Sequence, residues 1–342
     1  MKDLTTNRKF LKRTRIPASS PVSEKDFYVG GHVLLFSRNM KIVDYGDKET
    51  RELLDAATEQ TVLVISSALI EREAVGDVVE LVETAAELTV DGIKAIRIDR
   101  AAINDFRQSA GVLVEHACLR DDREAVVVVF RGEGCLVKAR QALEGDGRYS
   151  SDVYCTASAE EASKAQELFL SQPASSTSSN EKGRGYTSTC CVIKPHAIKA
   201  RQVGSILSAI SSAGYGINSM ALFNLDIFCA KEFLEVYKGG KNFHLMAEEM
   251  SGPAIAMEIC RSSDGSNRAV DPNVEDMDVV SAFRKDVAGP WDVRVAKELY
   301  PDSLRARFGI DNVKNAVHCT DLPTDGATEC EFFFDILAND GA

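Results

Sequence analysis

Near the C-terminal end of the sequence, a few polar residues interrupt apolar surroundings in a way that suggests chemistry. Lys194 opens Lys194-Pro195-His196 directly after an apolar run. Arg284 lies near the start of a turn region, and Arg305 sits within Ser303-Leu-Arg-Ala-Arg-Phe-Gly309. Asn315-Ala-Val-His318 runs into Cys319-Thr-Asp321, and Glu329 follows His318 by eleven residues. A lysine, two arginines and an asparagine around one histidine suit an anionic ligand, because cations can spread over phosphate oxygens as charge migrates. A neutral imidazole can attack phosphorus when a carboxylate holds its other nitrogen. Each residue alone says little, since a single histidine is more often packed or solvated than reactive. His32, His116, His196 and His244 have no metal-ligand spacing, so no side chain is assigned as a metal ligand.

These residues need elements to hold them. In the second half, Cys190-Cys-Val-Ile193 reads as a strand, Val203–Ala213 as a helix closed by Gly214, Ile217–Leu225 as extended, Ala230–Tyr237 as helical, Ala254–Ile259 as a strand, and Phe332–Leu337 as part of a final helix. The first half repeats the order. Thr61–Ser66, Gly92–Arg97, Ala125–Phe130 and Asp152–Thr156 are the extended pieces. Glu73–Leu88, Ile103–Cys118, Leu136–Leu143 and Ala159–Leu170 are the helices. Alternation of this length predicts two α/β (α+β) sandwiches, each with helices against an antiparallel sheet. Between them lies a polar linker, Ser171–Gly185, poor in apolar side chains. Before them, Val33–Phe36 and Lys41–Tyr45 read as short strands around the turn Ser37-Arg-Asn39. That piece is too small to fold unaided and is expected to lean on a neighbour.

Composition excludes several classes. The chain has 342 residues, 44% apolar and 27% charged, with a formal charge of −12. This is globular composition with room for two or three cores. Net acidity argues against a general nucleic-acid partner, and no apolar run approaches the ~20 residues of a membrane span. The start lacks the apolar core of a secretory leader, and nine cysteines without a C-x-x-C pair read as reduced thiols. Cys190 and Cys191 lie on opposite faces of one strand, so they pack rather than bridge. A basic N-terminus (Lys2, Arg8, Lys9, Lys12, Arg13, Arg15) leaves a solvated tail and docking on an acidic surface as alternatives.

Ile193-Lys-Pro-His-Ala197, Ser251-Gly-Pro-Ala-Ile-Ala-Met257, Leu304-Arg305 and Asn315-Ala-Val-His318, in that order over residues 187–337, resemble the nucleoside diphosphate kinases. The resemblance implies a ferredoxin-like βαββαβ core. It also implies ping-pong transfer of a γ-phosphate between nucleotides through a phosphohistidine, with Mg²⁺ accompanying ATP or another nucleoside triphosphate and held chiefly by its phosphates. By position, His318 matches the phosphorylated histidine and Glu329 the glutamate that orients it. Lys194, Arg284 and Arg305 match the phosphate-binding cations, Asn315 the asparagine on the sugar, and Phe243 the aromatic residue on the base. Leu234 stands where the family has an active-site tyrosine, and Trp291 where it has a small threonine. An acidic insertion, roughly Arg261–Asp278, separates the Met-Glu-Ile strand from Arg284; a surface loop and a partner contact are both open for it.

Residues 58–171 resemble the same family as a degenerate copy. Ser66-Ser67-Ala68 replaces the Lys-Pro motif, Gln141 the arginine matched by Arg305, Ser151 the asparagine, Tyr154 the histidine, and Ala165 the glutamate. A phenol cannot carry the phosphoryl group in that geometry, so this copy is expected to be inactive. Phe10-Leu-Lys-Arg-Thr14 and Phe27–Arg38, ending Ile42-Val-Asp-Tyr-Gly46, resemble the second part of a DM-ten domain. The resulting plan is a small β-rich partial DM-ten domain (1–50), the degenerate copy (58–171), a flexible linker (172–186), and a kinase-like domain with its site retained (187–338). This order resembles the ciliary branch of the family. That implies a structural component of axonemal doublet microtubules, a microtubule inner protein touching tubulin and other inner proteins. Related proteins of this type also associate with the γ-tubulin ring complex. The alternative is an active nucleoside diphosphate kinase working through phospho-His318. A nucleotide sensor, its phosphate pocket filled by Trp291, is a third reading.

Overall fold

The described residues form ten strands, and their order explains where the chemistry falls. The computed structural model describes residues 22, 26–29, 31–35, 38–56, 58–109, 116, 118–119, 123–174, 188–261 and 278–340. The linker expected at 172–186 and the insertion at 261–278 therefore lie largely outside the described residues, as does most of the N-terminal piece.

β1 (His32–Leu35) and β2 (Arg38–Lys41) form a small hairpin. β3 (Gln60–Ser66), β4 (Thr89–Ile98), β5 (Arg123–Arg131) and β6 (Val153–Cys155) belong to the first half. β7 (Ser188–Ile193), β8 (Tyr215–Leu225), β9 (Gly252–Arg261) and β10 (Val317–Cys319) belong to the second. The last eight join in one antiparallel sheet, ordered β10-β7-β9-β8-β4-β5-β3-β6. Within each half the first strand lies between the fourth and the third, with the second beyond. This is the ferredoxin-like order, reached twice.

Both faces of the sheet are covered. Leu63 and Ile65 enter one core while Val62 and Val64 enter another. Cys191 and Cys190 divide in the same way between the shared core and one confined to the second half. A strand buried on both faces must be apolar throughout, which accounts for the unbroken runs at Val62–Ile65 and Val126–Phe130.

The halves meet about a pseudo-two-fold axis. β4 and β8, the second strand of each half, pair at Lys94 and Ala221. Beside them the helices Val75–Ala85 and Val203–Ser212 cross backbone to backbone. A Cβ on Gly204 would collide with the backbone nitrogen of Glu80, and a Cβ on Gly76 with that of Ser208. Gly76 and Gly204 occupy the same place in their helices, and Glu80 and Ser208 each lie four residues further on. The contact is therefore self-complementary, as in a symmetric dimer. Ser208 Oγ donates to Asp77 Oδ1 (2.6 Å) and Ser205 Oγ to Glu80 Oε1 (2.8 Å) across it.

The described residues before the hairpin do lean on both halves. Tyr28 hydroxyl donates to Asp91 (3.0 Å), with the Arg131 guanidinium 3.5 Å over its ring, and Asp26 pairs with Lys199 of the second half (2.7 Å). β2 begins earlier than its apolar residues suggested. Arg38 and Asn39, expected in the turn, pair with Leu35 and Leu34, and pairing ends at His32 and Lys41; Ile42 N–H then donates to Gly31 O (2.9 Å), while Val43 stays exposed. The helix expected over Ile103–Cys118 spans Arg100–Ser109, and residues 110–115 lie outside the described residues.

Candidate active site

Lys194 is placed by the end of β7. Pro195 has no N–H for a strand ladder but suits the first turn of the helix Pro195–Lys199, so the chain turns there. Lys194 is buried, and its Nζ donates to Val313 O (2.9 Å). Burial, helped by nearby Arg305, pushes its pKa down from 10.5 to about 8.

His318 lies in β10, opposite Val192 of β7. Its Nε2 stands 2.9 Å from Glu329 Oε2, and Thr320 Oγ1 donates to the same oxygen (2.9 Å). Nε2 therefore carries the proton, and the lone pair resides on Nδ1. Phe233 meets the ring edge-on, with centroids 4.8 Å apart. Carboxylate and phenyl together fix the imidazole in one orientation.

Arg305 is clamped to the backbone. Its Nη1 donates to Gly289 O (2.8 Å), and Nε and Nη2 donate to Val317 O (3.4 and 3.3 Å). Arg284 pairs with Asp321, whose other carboxylate oxygen accepts from the Tyr237 hydroxyl. Asn315 is buried, and its Oδ1 finds no donor among the described residues.

Lys194, Tyr237, Arg284, Arg305, Asn315, His318 and Asp321 line one cleft of about 590 Å³, while Glu329, Thr320 and Phe233 do not line it. Phe243, Met246, Leu234 and Val236 give it an apolar wall, while Lys194, Arg284, Arg305 and Lys241 make it cationic; Asp321 is the one carboxylate among the described lining residues. The chain is acidic overall, yet its cleft is locally positive. Trp291 lines the cleft and stays 42% exposed, so its ring is not buried within it.

The structure thus brings together every site residue named from the sequence: Lys194, Phe243, Arg284, Arg305, Asn315, His318 and Glu329. Sequence reasoning missed Phe233, Tyr237 and Thr320, and gave Asp321 no role. The Thr two residues after His318 and the Asp beside it were visible as polar residues, whereas Phe233 and Tyr237 look like ordinary core aromatics.

In the first half the corresponding place is filled differently. Tyr154 pairs with Val64 as His318 pairs with Val192. Thr156 repeats Thr320, its Oγ1 accepting from Val62 N as Thr320 Oγ1 accepts from Cys190 N (both 3.0 Å). Ser66 N donates to Asp152 O as Lys194 N donates to Ala316 O, which sets Ser66 against Lys194 and Ser151 against Asn315. The Tyr154 hydroxyl donates to Glu161, not to a residue at Ala165. Burial together with that carboxylate raises the phenol's pKa well above its ordinary value.

Fold and site define a class: tandem ferredoxin-like α/β domains, one of which keeps a carboxylate-held histidine in a cation-lined cleft. The family described as nucleoside diphosphate kinase matches residues 187–337. Nucleoside diphosphate kinase homolog 7 of Rattus norvegicus is 31% identical over 368 aligned residues, covering 99% of this chain and 86% of that protein. The Mus musculus homolog 7 is 32% identical over 361, with the same coverage. A solved nucleoside diphosphate kinase from Aquifex aeolicus is 28% identical, covers 44% of this chain and 95% of its own, and has a TM-score of 0.38. The chain belongs to the nucleoside diphosphate kinase family, and its full-length similarity is to the homolog 7 type.

Proposed function

We propose that the second half transfers the γ-phosphate of a nucleoside triphosphate to a nucleoside diphosphate through His318. The observation that carries this reading is the His318–Glu329 pair on a cleft walled by Lys194, Arg284 and Arg305. His318 Nδ1 donates its lone pair to the γ-phosphorus while the bond to the β–γ bridging oxygen breaks, and the diphosphate leaves with that electron pair. Glu329 stabilises the positive charge on the imidazole. In the second step a β-phosphate oxygen of the acceptor attacks phosphorus, and His318 Nδ1 recovers its lone pair. Lys194 and the arginines spread charge over the phosphoryl oxygens. The unpaired Oδ1 of Asn315 accepts a sugar hydroxyl, and Phe243 offers the base an aromatic face.

Among the described residues, no group of three or more His, Cys, Asp or Glu side chains could hold a metal. Mg²⁺ would be carried in on the nucleotide phosphates, with Asp321 the one carboxylate among the described lining residues that could help to hold it. When bound, Mg²⁺ supplies charge neutralisation across those phosphates. Mixing purified protein with Mg-ATP and a second nucleoside diphosphate tests the proposal. Formation of the second triphosphate, lost in His318→Gln, is expected; no transfer by the unsubstituted chain overturns it.

A second reading coexists with the first: a structural component of ciliary or flagellar doublet microtubules, a microtubule inner protein contacting tubulin and neighbouring inner proteins, with the γ-tubulin ring complex as a further partner. It is supported by a first half whose catalytic place is filled by Tyr154 and Glu161 but which still supplies half of the sheet. Extraction of demembranated axonemes tests it. Retention through low-salt washes is expected, and release with the soluble matrix contradicts it.

A further inference from the structure

The loop that delivers Asn315 and His318 is built on a strained residue. Val317 N–H donates to Asn315 O (2.9 Å), closing a three-residue γ-turn with Ala316 at its centre and a φ of 69°. A γ-turn with positive central φ is rare, and a side chain with a Cβ makes it costly. Strain of this kind persists only where surrounding groups hold it.

Two groups hold Ala316. Lys194 N–H donates to its carbonyl (2.9 Å), and its own N–H donates to Nε2 of His196 (3.2 Å). Because Nε2 accepts, the proton must sit on Nδ1, which lies 2.6 Å from Glu249 Oε1. Glu249 Oε1 also accepts from His196 N–H (3.3 Å). The imidazole is thus fixed as the neutral Nδ1–H tautomer. Glu249 belongs to the helix Phe243–Met250, whose Phe243 and Met246 line the cleft. One chain of hydrogen bonds therefore ties the apolar wall of the cleft to the turn between Asn315 and His318. His196 does not line the cleft and touches no ligand position.

We infer that His196, oriented by Glu249, is a positioning residue: it holds the Ala316 γ-turn so that Asn315 and His318 present to the same nucleotide. The inference deepens the phosphotransfer reading and rests on it for its kinetic consequence, though not for its structural one. Without the acceptor at Nε2, the Ala316 N–H loses its partner and the turn relaxes towards a less strained backbone. His318 then moves relative to Lys194 and Arg305, and misplacement by an ångström is enough to slow a positioned reaction about 100-fold.

Three full-length proteins decide the matter: unsubstituted, His196→Ala, and His196→Gln, whose Oε1 reaches to the position of Nε2 and accepts the same hydrogen bond. Two quantities are measured on each, amide hydrogen exchange at Ala316 and the rate of acid-labile phosphate uptake from Mg-ATP. For His196→Ala we expect exchange at Ala316 to rise by about tenfold, beyond any change at the sheet amides, and phosphate uptake to fall by about 100-fold. For His196→Gln we expect both to return to within about fivefold of the unsubstituted protein. Local exchange and uptake unchanged in His196→Ala, or a glutamine variant as impaired as alanine, overturns the inference. An unsubstituted chain that takes no phosphate sinks the phosphotransfer reading instead, and exchange at Ala316 then decides the role of His196 by itself.

Discussion

Lys194 shows how burial and function pull on one side chain. An ammonium removed from water loses hydration, and its pKa falls to about 8, yet phosphate binding needs it charged. Its charge in the empty cleft is therefore complete only below that value and is lost as pH rises through it. We expect ADP affinity, followed by calorimetry, to weaken by up to about tenfold between pH 8 and 9, and to stay flat over that range in Lys194→Met. Equal slopes in the two proteins contradict the assignment. Glu329→Gln keeps the hydrogen bond to Nε2 but removes the negative charge. It should slow phosphate uptake by His318 by about 10- to 100-fold with little effect on ADP affinity, as kinetics and calorimetry on the same variant will show. At this scale the sequence was informative, because Lys194, Arg284, Arg305, Asn315 and His318 are polar residues set among apolar ones. Phe233 and Tyr237 were not legible, since an aromatic beside a histidine in space is indistinguishable in sequence from one packed in a core.

Among the elements, the two glycines at the helix crossing leave the least room for substitution. Gly204→Ala sets a methyl group against the Glu80 backbone, which cannot rotate away as a side chain can. We expect it to destabilise the protein on the order of 2–3 kcal/mol in urea unfolding, while Gly145→Ala, with open space around it, stays near neutral. Similar midpoints for the two contradict the described seam. Most of the strand and helix order was legible in both halves, because apolar runs and helical spacing are local signals, but the three-residue β10 that carries His318 is too short to show either. Two placements were not. β2 pairs over Arg38–Lys41 and not over the apolar residues that follow, so Val43 misleads. The partner of Tyr154 is Glu161 and not a residue at position 165, since the two positions lie one turn apart on the same face of a helix and the carboxylate reaches from the earlier one.

The whole molecule is a dimer folded from one chain, and its seam contains a carboxylate. Glu83 is buried between the halves and accepts from Gly204 N (2.8 Å) and Val203 N (3.4 Å) at the start of the facing helix. Burial raises its pKa from 4.5 to about 7, outweighing those two donors, which favour the charge. The folded state then holds a proton between pH 4.5 and 7 that the unfolded state has lost, so stability declines as pH rises across that window. We expect a loss on the order of 3 kcal/mol at most, seen as a falling thermal midpoint and absent in Glu83→Gln. A rising midpoint over the same range contradicts it. The continuous sheet and the reciprocal glycines depend on tertiary approach that no local pattern encodes.

All of this gives one half of the chain a carboxylate-held histidine on a cationic cleft and the other a filled place. The most direct measurement is mass spectrometry of the protein after exposure to Mg-ATP, with phosphate mapped before and after acid. The account predicts a single acid-labile phosphate on His318, none on Tyr154, and none anywhere in His318→Gln. Phosphate absent from His318 in the unsubstituted chain, or present unchanged in the variant, contradicts it.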